Sequence, residues 1–78
     1  MAVTVYTKPG CVQCNATYRA LDKKGIPYNS RDISQDEEAL ERLKALGHMQ
    51  APVVETATDS WTGFRPDKID ELAAQLSL

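Results

Sequence analysis

The sequence predicts an α/β fold in which three helices pack on a small mixed sheet of four strands. Short β-branched runs that end at turn residues indicate the strands, and apolar residues repeated every three to four positions indicate the helices. These segments alternate in the order βαβαββα, which implies a parallel strand pair followed by an antiparallel hairpin. The order corresponds to a two-layer sandwich, and 78 residues leave room for one domain, residues 1–78.

The chain begins with a predicted strand and helix. Val3 and Val5 alternate with Thr4 and Tyr6 before the breaker pair at positions 9 and 10. Apolar residues then follow helical spacing until Gly25, a residue type that often ends helices. Position 11 therefore lies at the entrance of the first predicted helix.

A weak edge strand and a second helix are predicted next. The strand covers residues 28–33, and the helix begins where Ser34 and Glu37 have the spacing of a capping box. Gly47 is placed to end this helix. The buried stripe of the helix is predicted to contain Ala39, Leu40, Leu43 and Leu46.

The last third of the chain predicts a hairpin followed by a helix. Val53 and Val54 begin the third strand, and residues 60–64 form the fourth, with Phe64 expected in the core. Pro66 fits the first position of a helix, where its missing N–H has no cost. The buried side of that helix is predicted to contain Ile69, Leu72, Ala73 and Leu76.

Charge and hydropathy argue against several classes of function. Nine basic and eleven acidic residues are interspersed and give a net charge of −2, so neither nucleic acid nor a membrane surface is an expected partner. The segment from Met1 to Tyr6 has no basic run followed by an apolar stretch, and no segment approaches the length of a membrane span. We therefore expect a soluble, cytoplasmic protein.

The two cysteines, Cys11 and Cys14, are the residues best suited to chemistry. A disulfide between positions this close closes almost no loop and adds little stability. Disulfide exchange, by contrast, needs an accessible thiolate with a second thiol nearby. A thiolate on Cys11 would face the positive end of the helix, and Lys8 would add a favourable charge. Cys14 would lie one turn deeper, so it is the expected resolving thiol.

The same spacing also occurs in zinc sites, which need four ligands. The chain contains one histidine, His48, and no second cysteine pair, so we do not expect a metal site. His48 follows Gly47 at a predicted helix end, and it is expected to be an exposed loop residue rather than a ligand or a base.

Two further segments each allow two interpretations. Pro52, after Ala51, either occupies the first position of a strand or forms a cis peptide whose preceding backbone pairs with an extended substrate. Trp61 and Arg65 either pack on their own protein or form part of a surface that binds a partner.

Taken together, these motifs resemble NrdH-redoxins, which are small thioredoxin-fold proteins with glutaredoxin-like sequences. The likeness spans nearly the whole chain, and its tryptophan-containing segment is more specific than the cysteine pair. It is carried by Lys8-Pro9-Gly10-Cys11-Val12-Gln13-Cys14, by Ala51-Pro52-Val53 and by Trp61-Thr62-Gly63-Phe64-Arg65-Pro66-Asp67. It implies a thioredoxin-like sandwich of two or three layers.

The resemblance also implies residue roles. Cys11 would be the nucleophile, Cys14 the resolving thiol and Pro52 a cis-proline that faces them. The Cys11–Cys14 disulfide would be the redox group, with no bound cofactor. The substrate or partner contacts are then expected at Lys8, Val12, Gln13, Ala51, Pro52, Trp61 and Arg65.

The partners follow from the same resemblance. NrdH-redoxins reduce a disulfide in class Ib ribonucleotide reductase and are reduced by thioredoxin reductase with NADPH. The expected partners are therefore thioredoxin reductase and the large subunit of that ribonucleotide reductase, and the expected state is a monomer. The chain lacks the Gly-Gly and Ser-Asp segment with which typical glutaredoxins hold glutathione, so glutathione binding should be weak. The alternatives are a glutathione-dependent dithiol glutaredoxin and a metal or iron–sulfur carrier that uses Cys11 as a ligand.

Overall fold

A four-stranded mixed sheet forms the centre of the molecule. The computed structural model describes residues 3–48 and 50–76, so Met1 and Ala2, part of the N-terminal segment considered above, lie outside it. The elements follow the predicted order. They are β1 (Thr4–Thr7), α1 (Val12–Lys23), β2 (Asn29–Asp32), α2 (Glu37–Ala45), β3 (Val53–Glu55), β4 (Ser60–Thr62) and α3 (Pro66–Gln75).

The strands lie in the order β2-β1-β3-β4. β1 pairs in parallel with β2 and antiparallel with β3, while β3 pairs antiparallel with β4. The predicted parallel pair and hairpin are thus confirmed, and β2 is an edge strand as expected. Val5 pairs with Val54, which pairs with Trp61, so an apolar row crosses three strands.

Helices cover both faces of the sheet. α1 and α3 cover the face that carries the apolar row, and α2 covers the other face, where Ala39 and Leu43 pack with Tyr6 and Val53. Successive strand residues point to opposite faces, so a strand with adjacent buried residues needs a cover on each side. The two-layer prediction from element order is therefore wrong, and the three-layer alternative is correct. The core beneath α1 and α3 includes Val3, Val5, Leu21, Ile26, Val54, Trp61, Ile69, Leu72 and Ala73.

The start of α2 differs from the prediction. Its N-cap is Asp36, whose carboxylate accepts a hydrogen bond from the Ala39 N–H at 3.0 Å. The backbone N–H and hydroxyl of Ser34 instead donate to the Asp32 carboxylate at 2.9 and 2.6 Å. Ser34 is thus used in the turn before the helix, and the predicted capping box with Glu37 does not form.

The end of α2 also changes the predicted buried stripe. Ala39 and Leu43 are buried as expected, whereas Leu40 is half-buried. The helix ends at Ala45, and Leu46 follows it as the C-cap with 45% of its surface exposed. Leu46 was therefore wrongly placed in the stripe, because the chain leaves the helix before that side chain reaches the sheet.

α3 begins at Pro66 as predicted, with Arg65 at the N-cap. Ile69, Leu72 and Ala73 form its buried side. Within residues 3–48 and 50–76, we find no helix with the length and apolar character needed to cross a membrane.

Leu43 and Leu46 provide a matched test of this packing. Leu43→Ala should lower the free energy of unfolding by about 2–5 kcal/mol, because it opens a cavity beneath α2. Leu46→Ala should change it by less than about 0.5 kcal/mol, because that side chain is largely in water. Urea unfolding of the oxidised protein measures both values, and equal losses would contradict the observed end of α2.

Asp36 should make stability depend on pH. The hydrogen bond from the Ala39 N–H, with a second from Arg31 Nε at 2.8 Å, lowers the pKa of the Asp36 carboxyl in the folded protein. A lowered folded pKa adds stability that is present above the ordinary carboxyl range and is lost as the pH falls. Asp36→Ala should therefore lower the Tm at neutral pH, and its gap from the wild type should narrow below about pH 4.

Asp36→Asn is the control for this experiment, because it keeps a capping oxygen and removes the charge. Its Tm at neutral pH should fall between those of the wild type and Asp36→Ala. A difference in Tm between the wild type and Asp36→Ala that stays constant in acid would show that the carboxylate charge is not the source of the effect.

Candidate functional site

The two cysteines lie at the N-terminus of α1, in the turn that follows β1. Cys11 is the N-cap residue, and its Sγ accepts a hydrogen bond from the Cys14 N–H at 3.1 Å. The cysteines form a disulfide with their Cα atoms 5.3 Å apart. Cys11 is half-buried and Cys14 is 1% exposed. Cys11 thus keeps exposed surface and Cys14 does not, as the sequence predicted.

The local sequence explains how Cys11 reaches this position. Gly10 has a φ of 74°, a left-handed conformation that glycine adopts without strain, and it turns the chain from β1 into the helix. Thr17, buried one turn after Gln13, donates its hydroxyl to the Gln13 carbonyl at 3.0 Å and anchors the first turn. Lys8 and Val12 are both exposed beside the cysteines. Their contacts with a partner stay predictions.

The sheet register brings Pro52 to the same end of the sheet as the cysteines. Val53, the first residue of β3, pairs with Tyr6 near the end of β1, so Pro52 lies beside the point where the chain leaves for Cys11. The Ala51–Pro52 peptide bond is cis, which confirms the cis-proline interpretation. Pro52 is buried and Ala51 is half-buried. The predicted pairing of this backbone with a substrate stays a prediction.

Residues 62–64, which we call the support segment, fix the cis-proline loop, residues 50–52. The Thr62 hydroxyl donates to the Gln50 carbonyl at 2.8 Å. The Gly63 N–H donates to the Pro52 carbonyl at 2.7 Å. Two consecutive residues of the support segment thus hold two of the three residues in the loop.

The support segment also contacts the cysteine motif. The Phe64 N–H donates to Gln13 Oε1 at 3.3 Å. Gly63 has a φ of 84°, and a Cβ at this position would lie 3.6 Å from the same oxygen. The structure therefore brings Gln13 and the cis-proline loop together through a segment that was predicted as the end of the fourth strand. The positive φ that glycine permits at position 63 is the sequence signal that could have indicated this turn.

Phe64 corrects one prediction. It was expected in the core as the end of the fourth strand, but β4 ends at Thr62 and Phe64 is 38% exposed. The left-handed turn at Gly63 breaks the strand alternation, so the pattern that predicted burial no longer applies.

Trp61 and Arg65 occupy different environments. Trp61 is 5% exposed and packs in the core, while its buried Nε1 has no hydrogen-bond partner among the described residues. Trp61 therefore packs on its own protein, and little of its ring surface is left for a partner. The Arg65 guanidinium donates to the Asp67 carboxylate at 3.1 and 2.9 Å and lowers the pKa of that carboxyl. Arg65 is exposed, and its contact with a partner stays a prediction.

His48 is not the exposed loop residue that was predicted. It is half-buried, and its Nε2 lies 3.0 Å from the Ser60 hydroxyl. This contact connects the loop after α2 to β4. Across residues 3–48 and 50–76, no group of three or more His, Cys, Asp or Glu side chains is placed to hold a metal ion.

The face of the sheet that α2 covers carries a network of polar side chains. The Tyr6 hydroxyl donates to Glu55 Oε1 at 2.9 Å, and the Arg42 guanidinium donates to the same carboxylate at 3.1 and 2.7 Å. The hydrogen bond from Arg42 lowers the pKa of Glu55, whereas burial and then Glu55 raise the pKa of Tyr6. This network joins β1, β3 and α2 on the face away from α1.

Comparisons with known proteins agree with this geometry. The family model described as Glutaredoxin matches residues 3–60. The glutaredoxin-like protein NrdH of Escherichia coli (strain K12) is 44% identical over 92% of this chain and 89% of that protein. The protein of the same description from Lactococcus lactis subsp. cremoris is 34% identical over 91% of this chain and 99% of its own length. The solved structure of Escherichia coli NrdH-redoxin matches with a TM-score of 0.89 over 92% of this chain and 95% of that chain.

The different exposure of the two sulfurs gives a mutational test. Cys11→Ser should abolish exchange with a protein disulfide such as that of insulin, because the approachable thiol is lost. Cys14→Ser should instead accumulate a mixed disulfide, because nothing remains to release the bound partner. Mass spectrometry under non-reducing conditions measures the adduct. Adducts of equal yield in both variants would overturn the assignment of roles.

Proposed function

Since this chain belongs to the glutaredoxin family, with NrdH-type glutaredoxin-like proteins as relatives, we propose that it carries electrons from thioredoxin reductase to class Ib ribonucleotide reductase. Family membership makes it a thiol–disulfide oxidoreductase with a redox-active Cys11–Cys14 disulfide. The proposal adds the roles of the two sulfurs, the source of the electrons and their destination.

The proposed reaction transfers two electrons in two exchange steps. In the reduced protein, the Cys11 thiolate attacks one sulfur of the substrate disulfide, forms a mixed disulfide and releases the other substrate sulfur as a thiolate. Cys14 then loses its proton and attacks Cys11 Sγ, which releases the second substrate sulfur. The substrate is left as a dithiol, and the protein is left with the Cys11–Cys14 disulfide.

The environment of the sulfurs supports this division of roles. The Cys14 N–H that donates to Cys11 Sγ would also stabilise a negative charge on that sulfur, as would the other free N–H groups of the first turn. Cys14 is 1% exposed, so desolvation favours its neutral thiol until Cys11 is engaged. This asymmetry at the start of α1 is the observation that carries the mechanism.

The cis-proline loop supports a protein disulfide as the substrate. Ala51 is half-buried next to the cis peptide, at the end of the sheet where β1 leads into Cys11. An extended segment on either side of a substrate cysteine would gain backbone hydrogen bonds there by strand addition. We propose that the large subunit of ribonucleotide reductase presents such a segment.

Two observations support recycling by thioredoxin reductase with NADPH. The Escherichia coli relative, 44% identical, is described as having a thioredoxin-like activity profile. The segment from Trp61 to Asp67 resembles that of NrdH-redoxins and not the glutathione-holding segment of typical glutaredoxins. We further propose that the protein acts as a monomer in the cytoplasm, where a reducing poise keeps such dithiols available.

Glutathione-dependent recycling is the second candidate, and the match to the Glutaredoxin family model favours it. The two candidates differ in which thiol opens the Cys11–Cys14 disulfide. A thioredoxin reductase presents a protein dithiol, whereas glutathione presents a tripeptide thiol that needs its own binding groups.

Reduction rates with the two recycling systems distinguish them. We expect oxidised ribonucleotide reductase large subunit to be reduced with NADPH and thioredoxin reductase at a kcat/KM roughly tenfold or more above that with glutathione and glutathione reductase, about 1.4 kcal/mol in transition-state stabilisation. Cys11→Ser is the blank for both systems. Faster turnover with glutathione would assign the protein to the dithiol glutaredoxins.

A further inference from the structure

Gln13 occupies a position between the cysteines in the sequence, and its side chain contacts the support segment. It is exposed, and its Oε1 accepts the Phe64 N–H at 3.3 Å, a contact between residues 51 positions apart. Its own carbonyl accepts the hydroxyl of the buried Thr17 at 3.0 Å. This hydrogen bond links the Gln13 backbone to a buried residue of α1, so the side-chain amide of Gln13 extends from a restrained backbone.

The support segment connects Gln13 to the cis-proline loop. Phe64 is held by Gln13, and the preceding residue, Gly63, donates to the Pro52 carbonyl at 2.7 Å. The next residue back, Thr62, donates its hydroxyl to the Gln50 carbonyl at 2.8 Å. Consecutive residues therefore connect Gln13 to the loop that carries the cis peptide.

Phe64 lies in the short connection between β4 and α3, and the side chain of Gln13 joins its peptide N–H to α1. β4 ends at Thr62, and Gly63 is a residue with wide conformational freedom. Without an acceptor for the Phe64 N–H, this peptide loses the hydrogen bond that joins it to α1. The cis-proline loop would then be held from a segment that is itself less restrained.

We infer that Gln13 is a positioning residue that holds the support segment against the cis-proline loop, so that the loop presents its backbone to a protein substrate. The inference rests on the proposed function, because it assumes a protein disulfide as substrate. Gln13 does not touch the reacting sulfurs in this role. Its removal should therefore weaken binding of extended protein substrates and leave the thiol chemistry intact.

Gln13→Met is the main test, because methionine has a similar length and lacks a strong acceptor. The KM for the protein disulfide should rise roughly three- to tenfold, the range expected when one neutral hydrogen bond is lost. kcat should change little, because the lost contact serves binding rather than the exchange step. The rate with a small disulfide, such as hydroxyethyl disulfide with a chemical reductant for recycling, should also stay the same.

Two matched variants identify the cause of the effect. Gln13→Glu keeps an acceptor oxygen at the same distance along the side chain, so its KM for the protein disulfide should equal that of the wild type. Gln35→Met makes the same chemical change at an exposed position in the turn before α2, and it should leave the KM at the wild-type value. Amide hydrogen exchange at Phe64 should accelerate in Gln13→Met and stay slow in the other two proteins.

The outcomes separate failure of this inference from failure of the proposed function. A wild-type protein that does not reduce protein disulfides would remove the proposed function and the inference with it. A wild-type protein that does so, together with an unchanged KM in Gln13→Met, would overturn the inference alone. An equal loss of rate with the small disulfide would also overturn it, because Gln13 would then act on the thiols.

Discussion

The hydrogen bond from the Cys14 N–H to Cys11 Sγ is the constraint on which the site depends. The N–H groups of a helix's first turn lack partners within the helix, and in α2 the carboxylate of Asp36 accepts from one of them. In α1 the same position is filled by a sulfur, so the helix cap and the reactive group are one atom. Since the cap accepts from the residue three positions later, that residue lies inside the first turn, where Cys14 is buried. The unequal exposure of the two cysteines has a second cause, because Cys14 lies on the buried side of α1 with Thr17 and Leu21, whereas Cys11 precedes the helix.

The sheet determines what else meets the cysteines. β1 is buried on both faces, and this accounts for the three layers and places the start of α1 at the end of a central strand. The antiparallel register of β3 then sets Pro52 beside that end, because Val53 pairs with Tyr6. The register of β4 pairs Thr62 with the same Val53, so Gly63 arrives opposite Pro52. These two registers therefore bring the cysteine motif, the cis-proline loop and the support segment to one end of the sheet.

Local patterns could predict the elements and the cysteine pair, because period, capping residues and spacing are properties of neighbouring residues. They could not predict contacts decided by distant groups. Ser34 and Asp36 can both cap a helix, and the choice falls on Asp36, which Arg31 also contacts. Phe64 continues a strand pattern until the backbone at Gly63 turns out of the sheet. Local patterns also could not predict that helices cover both faces of the sheet, since adjacent apolar residues such as Val53 and Val54 do not reveal which helix covers each side.

The site therefore separates into a local part and a non-local part. The thiol chemistry needs a spacing of three residues and the start of one helix, and both features depend only on neighbouring residues in the sequence. The partner surface that we propose contains the cis-proline loop and the support segment, which are joined to α1 through the exposed side chain of Gln13. A hydrogen bond of this kind has a net contribution of about 0.5–1.5 kcal/mol, which is small beside the apolar core. Under this proposal, changes at the non-local part alter which disulfides bind while the fold and the thiol chemistry stay the same.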